Sequence, residues 1–214
     1  MIQIDIVADY VCPWCYIGTR RLAVALEQVR QEFPELIVNT RWLPFFLNPD
    51  TPPAGEPYLP FLVQKFGSRE KVEGIWANVA AAGRAYGLDY HFEKIQIRAN
   101  TLNAHRLVHW AQERGDAKAL IEAIYRAQFQ NGENIGDSEV LLRLAVACGY
   151  DQSEVRDFLN SDAASDTVRA REFEVRKQGI NMVPTFIVNG REIVVGAEDP
   201  AILAAAVRRC LATS

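Results

Sequence analysis

The sequence predicts an α/β fold in which a βαβ half and a ββα half are separated by a large all-α insertion. Three observations support this prediction. A strand-like apolar run from Ile2 leads into a helical pattern through Cys12-Pro13-Trp14-Cys15. Helical patterns then fill the middle of the chain. Near the C-terminus, two short apolar runs flank Asn189-Gly190, which is the strongest short-range signal for a β-hairpin.

The first half of the chain has the pattern strand, helix, strand. The apolar residues of Ile2–Val7 predict a short strand, and the apolar and basic run Ile17–Val29 predicts a helix. A second strand is predicted for Leu36–Leu43, with Pro44 near its end. Because a crossover helix joins them, we expect the two strands to be parallel.

The middle of the chain is predicted to be mostly helical from Tyr58 to about Gly179. Ser68, Asn100 or Thr101, Asp116, and Asp137 or Ser138 are the expected N-caps of successive helices. The proline-rich stretch 48–57 marks the boundary before this block.

The end of the chain returns to strands. Met182–Val188 and Arg191–Val195 predict the hairpin, and a last helix is expected at Ala201–Leu211 after Pro200 in the first helical position. We therefore expect a discontinuous domain formed by residues 1–47 and 180–214, with a helical insertion domain at residues 48–179.

The closely spaced cysteines are the candidate catalytic groups. Pro13 suits the first position of a helix, which makes Cys12 the N-cap and places Cys15 in the first turn. The unpaired N–H groups and the helix dipole favour an anion at Cys12. Such positions lower a thiol pKa from about 8.5 to roughly 3.5–7.5. The sequence therefore predicts Cys12 as the exposed, low-pKa attacking thiol and Cys15 as the shielded resolving thiol.

Two other interpretations of the pair remain open. Cys12 and Cys15 could form half of a zinc site, with His105 and His109 on one face of a predicted helix as the other half. Alternatively, both cysteines could be ordinary buried residues. The insertion of Pro13 and Trp14 between the cysteines favours a redox turn, so we expect no metal. Cys148 and Cys210 fit packing positions better than catalytic ones.

Composition excludes several classes of function. The chain has 214 residues, 49% apolar content and a formal net charge of −4, which argues against a broad nucleic-acid footprint. No apolar run approaches the ~18 residues of a membrane helix. Asp5 and Asp9 interrupt the apolar N-terminal residues, which is unlike a signal peptide. We expect the protein to be cytoplasmic. Stable structural disulfides are rare in that compartment. The residues carry no prediction of oligomeric state.

Three segments together resemble the DsbA-like thioredoxin superfamily. They are Asp9–Gly18, Asn100–Leu107 and Gly179–Phe186. Within the superfamily, the chain is most similar to the FrnE-type branch, whose relatives include 2-hydroxychromene-2-carboxylate isomerase and kappa-class glutathione transferase. The resemblance covers nearly the whole chain and implies a thioredoxin fold with the helical block inserted between its halves.

The resemblance also implies roles for individual residues. It implies a cis peptide bond before Pro184, whose ring would pack against the cysteine pair and leave the Val183 backbone free to pair with an extended substrate. A plain edge-strand proline is the alternative. The expected catalytic residues are Cys12, Cys15 and Pro184. The expected substrate-binding residues are Pro13, Trp14, Val183, Asn100 and His105. Trp14 could instead simply cover the pair, and His105 could be a satisfied core or surface histidine.

The function implied is a thiol–disulfide oxidoreductase or isomerase acting on protein or small-molecule disulfides. No tightly bound cofactor is expected, with glutathione as a possible co-substrate. One alternative is a glutathione-dependent isomerase or transferase of small aromatic or polyketide-like compounds, and another is a non-catalytic redox sensor. The isomerase relatives typically carry serine where this chain has Cys12, which favours dithiol chemistry. Glu198 stands where the family often has glutamine, so a glutamine-dependent contact is not expected.

Overall fold

A computed structural model describes residues 1–212. The strands are β1 (Ile2–Ala8), β2 (Val38–Pro44), β3 (Glu56–Pro57), β4 (Ile97–Arg98), β5 (Thr185–Val188) and β6 (Glu192–Val195). The helices are α1 (Pro13–Glu32), α2 (Tyr58–Phe66), α3 (Arg69–Arg84), α4 (Leu102–Gln112), α5 (Lys118–Arg126), α6 (Ser138–Ala147), α7 (Gln152–Asn160), α8 (Ser165–Lys177) and α9 (Pro200–Ala212). Phe92–Lys94 form a 3₁₀ turn, and Ala127–Asn131 form a π-helical segment.

The chain divides into two compact units. The first contains residues 1–45 together with the chain from Arg171 onward, and the second contains residues 46–170. The chain therefore returns to the first unit at Arg171, before the boundary at residue 180 that the sequence predicted. The physical reason is that Val175, near the end of α8, packs in one apolar cluster with Val7 and Phe45 of the first unit.

The first unit is built on a four-stranded sheet with the order β2-β1-β5-β6. Strand β1 is parallel to β2, as the sequence predicts, and antiparallel to β5. The β5–β6 hairpin turns at Asn189 and Gly190, whose φ angles of 49° and 66° are both positive, as the central residues of a type I′ turn require. These pairings place the start of β5 beside the end of β1, where the chain enters α1.

Helix α1 packs together with α9 in the first unit. Its buried residues recur at the three- and four-residue spacing of one helical face. They are Cys15, Tyr16, Ile17, Gly18, Leu22, Ala25, Leu26 and Val29. Because this face begins at the second cysteine, burial of the helix also fixes the position of the cysteine pair.

The second unit follows the predicted succession of helices. The Ser68 side chain caps α3 by accepting from the Lys71 N–H at 3.3 Å, and Asp137 caps α6 in the same way. The helix expected to run from Asp116 to about Phe129 is instead α5 followed by the π-helical segment. The short ladder of β3 with β4 was not expected from the sequence. Within residues 1–212, no helix is both long enough and apolar enough to span a membrane.

Candidate active site

The cysteine pair lies where β1 ends and α1 begins. Cys12 is the N-cap of α1 in an extended conformation (φ −94°, ψ 109°), and Pro13 occupies the first helical turn. The Cys12 N–H donates to the Asp9 carbonyl at 3.1 Å, and the Cys15 N–H donates to the Cys12 carbonyl at 3.0 Å. Both predicted positions, the N-cap and the first turn, are confirmed by this geometry.

The expected exposure of Cys12 is wrong. Cys12 is only 5% exposed and Cys15 is 0% exposed. The reason is the loop before β5, which brings the Val183 carbonyl oxygen to 3.9 Å from the Cys12 Sγ atom. Trp14, between the two cysteines, remains 39% exposed. An exposed aromatic side chain therefore lies beside the pair, and Cys12 retains more access to solvent than Cys15.

The Cys15 thiol holds its proton strongly. Burial raises the pKa of Cys15 well above its usual value, and a hydrogen bond to Cys12 together with the negative charge there raises it further. The negative charge of Asp9 adds to the shift, while a hydrogen bond from the Asp9 backbone opposes it. Cys15 therefore keeps its proton under conditions in which an ordinary thiol ionises.

Two further buried groups adjoin the pair, and the sequence did not single them out. Asp9 is 1% exposed and Tyr10 is 2% exposed, although both are polar. Burial raises the pKa of Tyr10 well above its usual value, and the charges of Asp9 and Cys15 add to the shift. The Tyr10 ring stacks on Trp42 with centroids 6.5 Å apart. An acidic residue directly after a buried strand was the available sequence signal.

The loop that faces Cys12 carries the expected cis peptide bond between Val183 and Pro184. Two hydrogen bonds hold this loop. The Gly196 N–H donates to the Pro184 carbonyl at 2.7 Å, and the Thr185 hydroxyl donates to the Met182 carbonyl at 2.7 Å. The first unit thus brings Cys12, Cys15, Val183 and Pro184 together, as the resemblance implies.

Asn100 and His105 lie in the second unit. The Asn100 side chain donates to the Thr51 carbonyl at 2.7 Å and accepts from the Leu102 N–H at 3.1 Å, so it joins a loop to the start of α4. His105 is 5% exposed, and its ring meets the Phe46 ring edge-on at 5.3 Å. These contacts explain both residues as packing and loop-holding groups, and their roles in substrate binding stay predictions.

Metal-binding side chains do not cluster in the described part of the chain. Among residues 1–212, no three His, Cys, Asp or Glu side chains are grouped so that they could hold a metal ion. The two sulfurs, the facing loop and the buried groups beside them make up the candidate site.

Comparison with known proteins decides the family. The sequence model of the DsbA-like thioredoxin domain matches residues 3–208. The chain belongs to this family. A family member of known structure, a probable DsbA oxidoreductase from Streptomyces coelicolor, is 32% identical, with a TM-score of 0.91 over 100% of this chain and 92% of that chain. The predicted DsbA-like thioredoxin fold with its helical insertion is thereby confirmed.

Two further proteins are similar to this DsbA-like chain over most of its length. The uncharacterized protein YwbO from Bacillus subtilis (strain 168) is 25% identical over 198 residues, which is 92% of this chain and 90% of YwbO. The cytosolic disulfide reductase DsbM from Pseudomonas aeruginosa is 19% identical, with a TM-score of 0.68 over 99% of this chain and 100% of that chain. DsbM shares the fold, and its structure has also been solved with GSH.

Proposed function

We propose that this protein is a thiol–disulfide oxidoreductase of the FrnE type that uses Cys12 and Cys15 on protein or small-molecule disulfides. The observation that carries the proposal is the asymmetry of the two thiols. Cys12 caps α1 opposite the Val183 carbonyl, whereas Cys15 is fully buried and holds its proton strongly. A dithiol catalyst needs this arrangement, because one sulfur must meet the substrate while the other waits.

The first step is attack of the Cys12 thiolate on one sulfur of a substrate disulfide. A bond forms between Cys12 Sγ and that sulfur, and the substrate S–S bond breaks. The second substrate sulfur leaves as a thiolate and takes a proton from solvent. The N-terminus of α1 favours the attacking anion, because a helix carries a partial charge of about +0.5 at this end.

The second step is attack of Cys15 on Cys12. Cys15 first gives up its proton to solvent, and its thiolate then forms a bond with Cys12 Sγ. The bond between Cys12 Sγ and the remaining substrate sulfur breaks, and that sulfur leaves as a thiolate and takes a proton from solvent. The substrate disulfide has gained two electrons, and the protein now holds a Cys12–Cys15 disulfide. Two molecules of a thiol such as glutathione restore the dithiol and become a disulfide themselves. The reverse sequence oxidises a substrate dithiol.

The loop before β5 provides the surface on which a substrate would rest. Val183 is partly exposed, and its carbonyl lies beside the Cys12 sulfur. Pro184 contributes a ring without an N–H donor, so it leaves the neighbouring backbone free to pair with an extended chain. Pro13 and Trp14 lie on the helix side of the same sulfur. We assign these residues to substrate binding.

We expect glutathione to serve as a co-substrate and no cofactor to be tightly bound. The likeness to DsbM, which is named a cytosolic disulfide reductase and has been solved with GSH, supports this expectation and a cytoplasmic location. The retained Cys12 favours dithiol chemistry over the glutathione-dependent isomerase chemistry of the relatives that carry serine at this position.

The test is turnover of insulin disulfides and of a glutathione mixed disulfide by the Cys12→Ser variant. We expect turnover to be abolished, because the attacking sulfur is gone. Cys148→Ser is the matched control and should keep the parent rate, since Cys148 lies after α6 in the second unit. Parental turnover by Cys12→Ser would refute the proposal. If that variant also isomerised a hydroxychromene carboxylate with glutathione, the isomerase function would replace it.

A further inference from the structure

Gly18 lies on the buried face of α1, one helical turn after Cys15, and directly faces the loop of the candidate site. A Cβ atom built at Gly18 would lie 2.8 Å from the Pro184 Cγ atom and 3.1 Å from the Phe186 Cζ atom. Real Cβ atoms essentially never show contacts below 3.0 Å. The absence of a side chain at this position therefore allows the Pro184 ring to rest against the helix.

Backbone conformation does not explain this glycine. Gly18 lies inside α1 and is not among the glycines with a positive φ angle. Glycine in a helix interior destabilises the helix relative to alanine. Gly18 therefore makes α1 less stable than alanine would. In return, it leaves space for the side chains of Pro184 and Phe186.

The position of the Pro184 ring controls the position of the Val183 carbonyl. The two residues share one peptide bond, and that carbonyl oxygen lies 3.9 Å from Cys12 Sγ. The Gly196 N–H holds the Pro184 carbonyl at 2.7 Å on the side of β6. A methyl group at Gly18 would push the ring away from α1 against this anchor, so the backbone that faces Cys12 would have to shift.

We propose that Gly18 is a positioning residue that sets the distance between the Cys12 sulfur and the Val183 backbone, and that this distance selects extended peptide disulfides as substrates. The inference rests on the proposed function. An extended peptide must pair with the Val183 backbone while its disulfide reaches the Cys12 sulfur, so it depends on the distance between the two. A small disulfide needs only the sulfur. Gly18 acts through Pro184 and touches no reacting atom.

The experiment compares two substrates in the Gly18→Ala variant. One is a peptide of about ten residues in mixed disulfide with glutathione, long enough for a strand of typical length. The other is a small aromatic disulfide. We expect kcat/KM for the peptide to fall roughly ten- to hundredfold, the scale of a 1 Å misplacement, mainly through a higher KM. Turnover of the aromatic disulfide, which needs only the sulfur, should match the parent protein.

Two other helical glycines provide matched controls. A Cβ at Gly74 in α3 meets nothing within 4 Å, so Gly74→Ala should leave kcat/KM for both substrates unchanged. A Cβ at Gly83 in α3 would clash with the Tyr90 ring, so Gly83→Ala produces a comparable clash in the second unit. We expect Gly83→Ala to lower the melting temperature without a selective loss of the peptide substrate.

Three results would overturn the inference. One is a parental KM for the peptide in Gly18→Ala, and another is an equal loss on both substrates that follows the melting temperature. The double variant Gly18→Ala with Phe186→Leu removes the clash with the Phe186 ring and keeps the clash with Pro184. The loss of kcat/KM for the peptide should therefore persist in it. Its disappearance is the third contrary result. Turnover that survives in Cys12→Ser would instead refute the proposed function, which separates the two failures.

Discussion

The Cys15 N–H donates to the Cys12 carbonyl at 3.0 Å, so the two cysteines lie at the two ends of the same first helical turn. They nevertheless differ in environment. Cys12 keeps 5% of its surface exposed and faces the Val183 carbonyl, while Cys15 has no exposed surface. This difference suits the two sulfurs to different steps. Cys12 can attack a substrate disulfide, and Cys15 can then attack the mixed disulfide formed on Cys12.

Alkylation of the reduced protein should follow that order. With limiting iodoacetamide at about pH 6, we expect Cys12 to be labelled before Cys15, Cys148 and Cys210, because it lies at the N-terminus of α1, where the helix dipole stabilises an attacking anion. Burial raises the pKa of Cys148, which slows its reaction although it is partly exposed. Peptide mapping by mass spectrometry measures the order. Equal labelling of Cys12 and Cys148 would contradict the assignment of Cys12 as the reactive thiol.

Stability of the reduced protein should fall at alkaline pH. The unfolded Cys15 thiol ionises near a pKa of about 8.5, while the folded thiol keeps its proton because burial raises its pKa. Above about pH 8.5 the unfolded state therefore binds fewer protons, and the free energy of unfolding falls by up to about 1.4 kcal/mol per pH unit for this group. The contribution is fully present below that pH and is lost toward the raised folded pKa.

The measurement is urea unfolding of the reduced protein at neutral and alkaline pH, with Cys15→Ala as the comparison. The variant should lose less stability between the two pH values than the parent protein. Tyr10, whose pKa burial also raises, adds a loss in the same direction only above about pH 10. An identical pH dependence in the parent and the variant would show that Cys15 is not held protonated.

The exposed apolar surface beside Cys12 should contribute to substrate affinity. Trp14 is 39% exposed, and covering its ring with a substrate would remove apolar surface from water. For Trp14→Ser we expect a loss of 1–2 kcal/mol in binding of a peptide disulfide with apolar flanks, or roughly five- to thirtyfold in kcat/KM. The control is Phe173→Ser on α8, which is 63% exposed and should have no effect. Equal losses in both variants would contradict a specific role for Trp14.

Local signals were sufficient to predict most of the fold. Proline at the first helical position defines the start of α1, and Asn189-Gly190 supplies the positive φ angles that the hairpin requires. These features depend on neighbouring residues alone. The ladder of β3 with β4 was missed, because two-residue strands are too short for an alternating pattern.

The candidate site was only partly predictable, because some of its contacts join residues that are distant in the sequence. The cysteine pair is a local motif, but the burial of Cys12 depends on the Val183 carbonyl, which comes from the other end of the chain. The contact of Gly18 with the Pro184 ring also joins distant segments, and no periodicity in the sequence reports it. Asp9 and Tyr10 show the limit most clearly, since a polar pair after a strand usually indicates a solvent-exposed turn, and both side chains are buried.

The central claim is that Cys12 captures the substrate and Cys15 releases it. The most direct measurement is the covalent adduct formed when Cys15→Ser is mixed with a glutathione-containing peptide disulfide, separated on a non-reducing gel and mapped by mass spectrometry. We predict that one adduct per chain accumulates at Cys12 and is not released, while Cys12→Ser forms no adduct at Cys15. Accumulation at Cys15 or Cys148, or continued turnover by Cys15→Ser at the parental rate, would contradict the account.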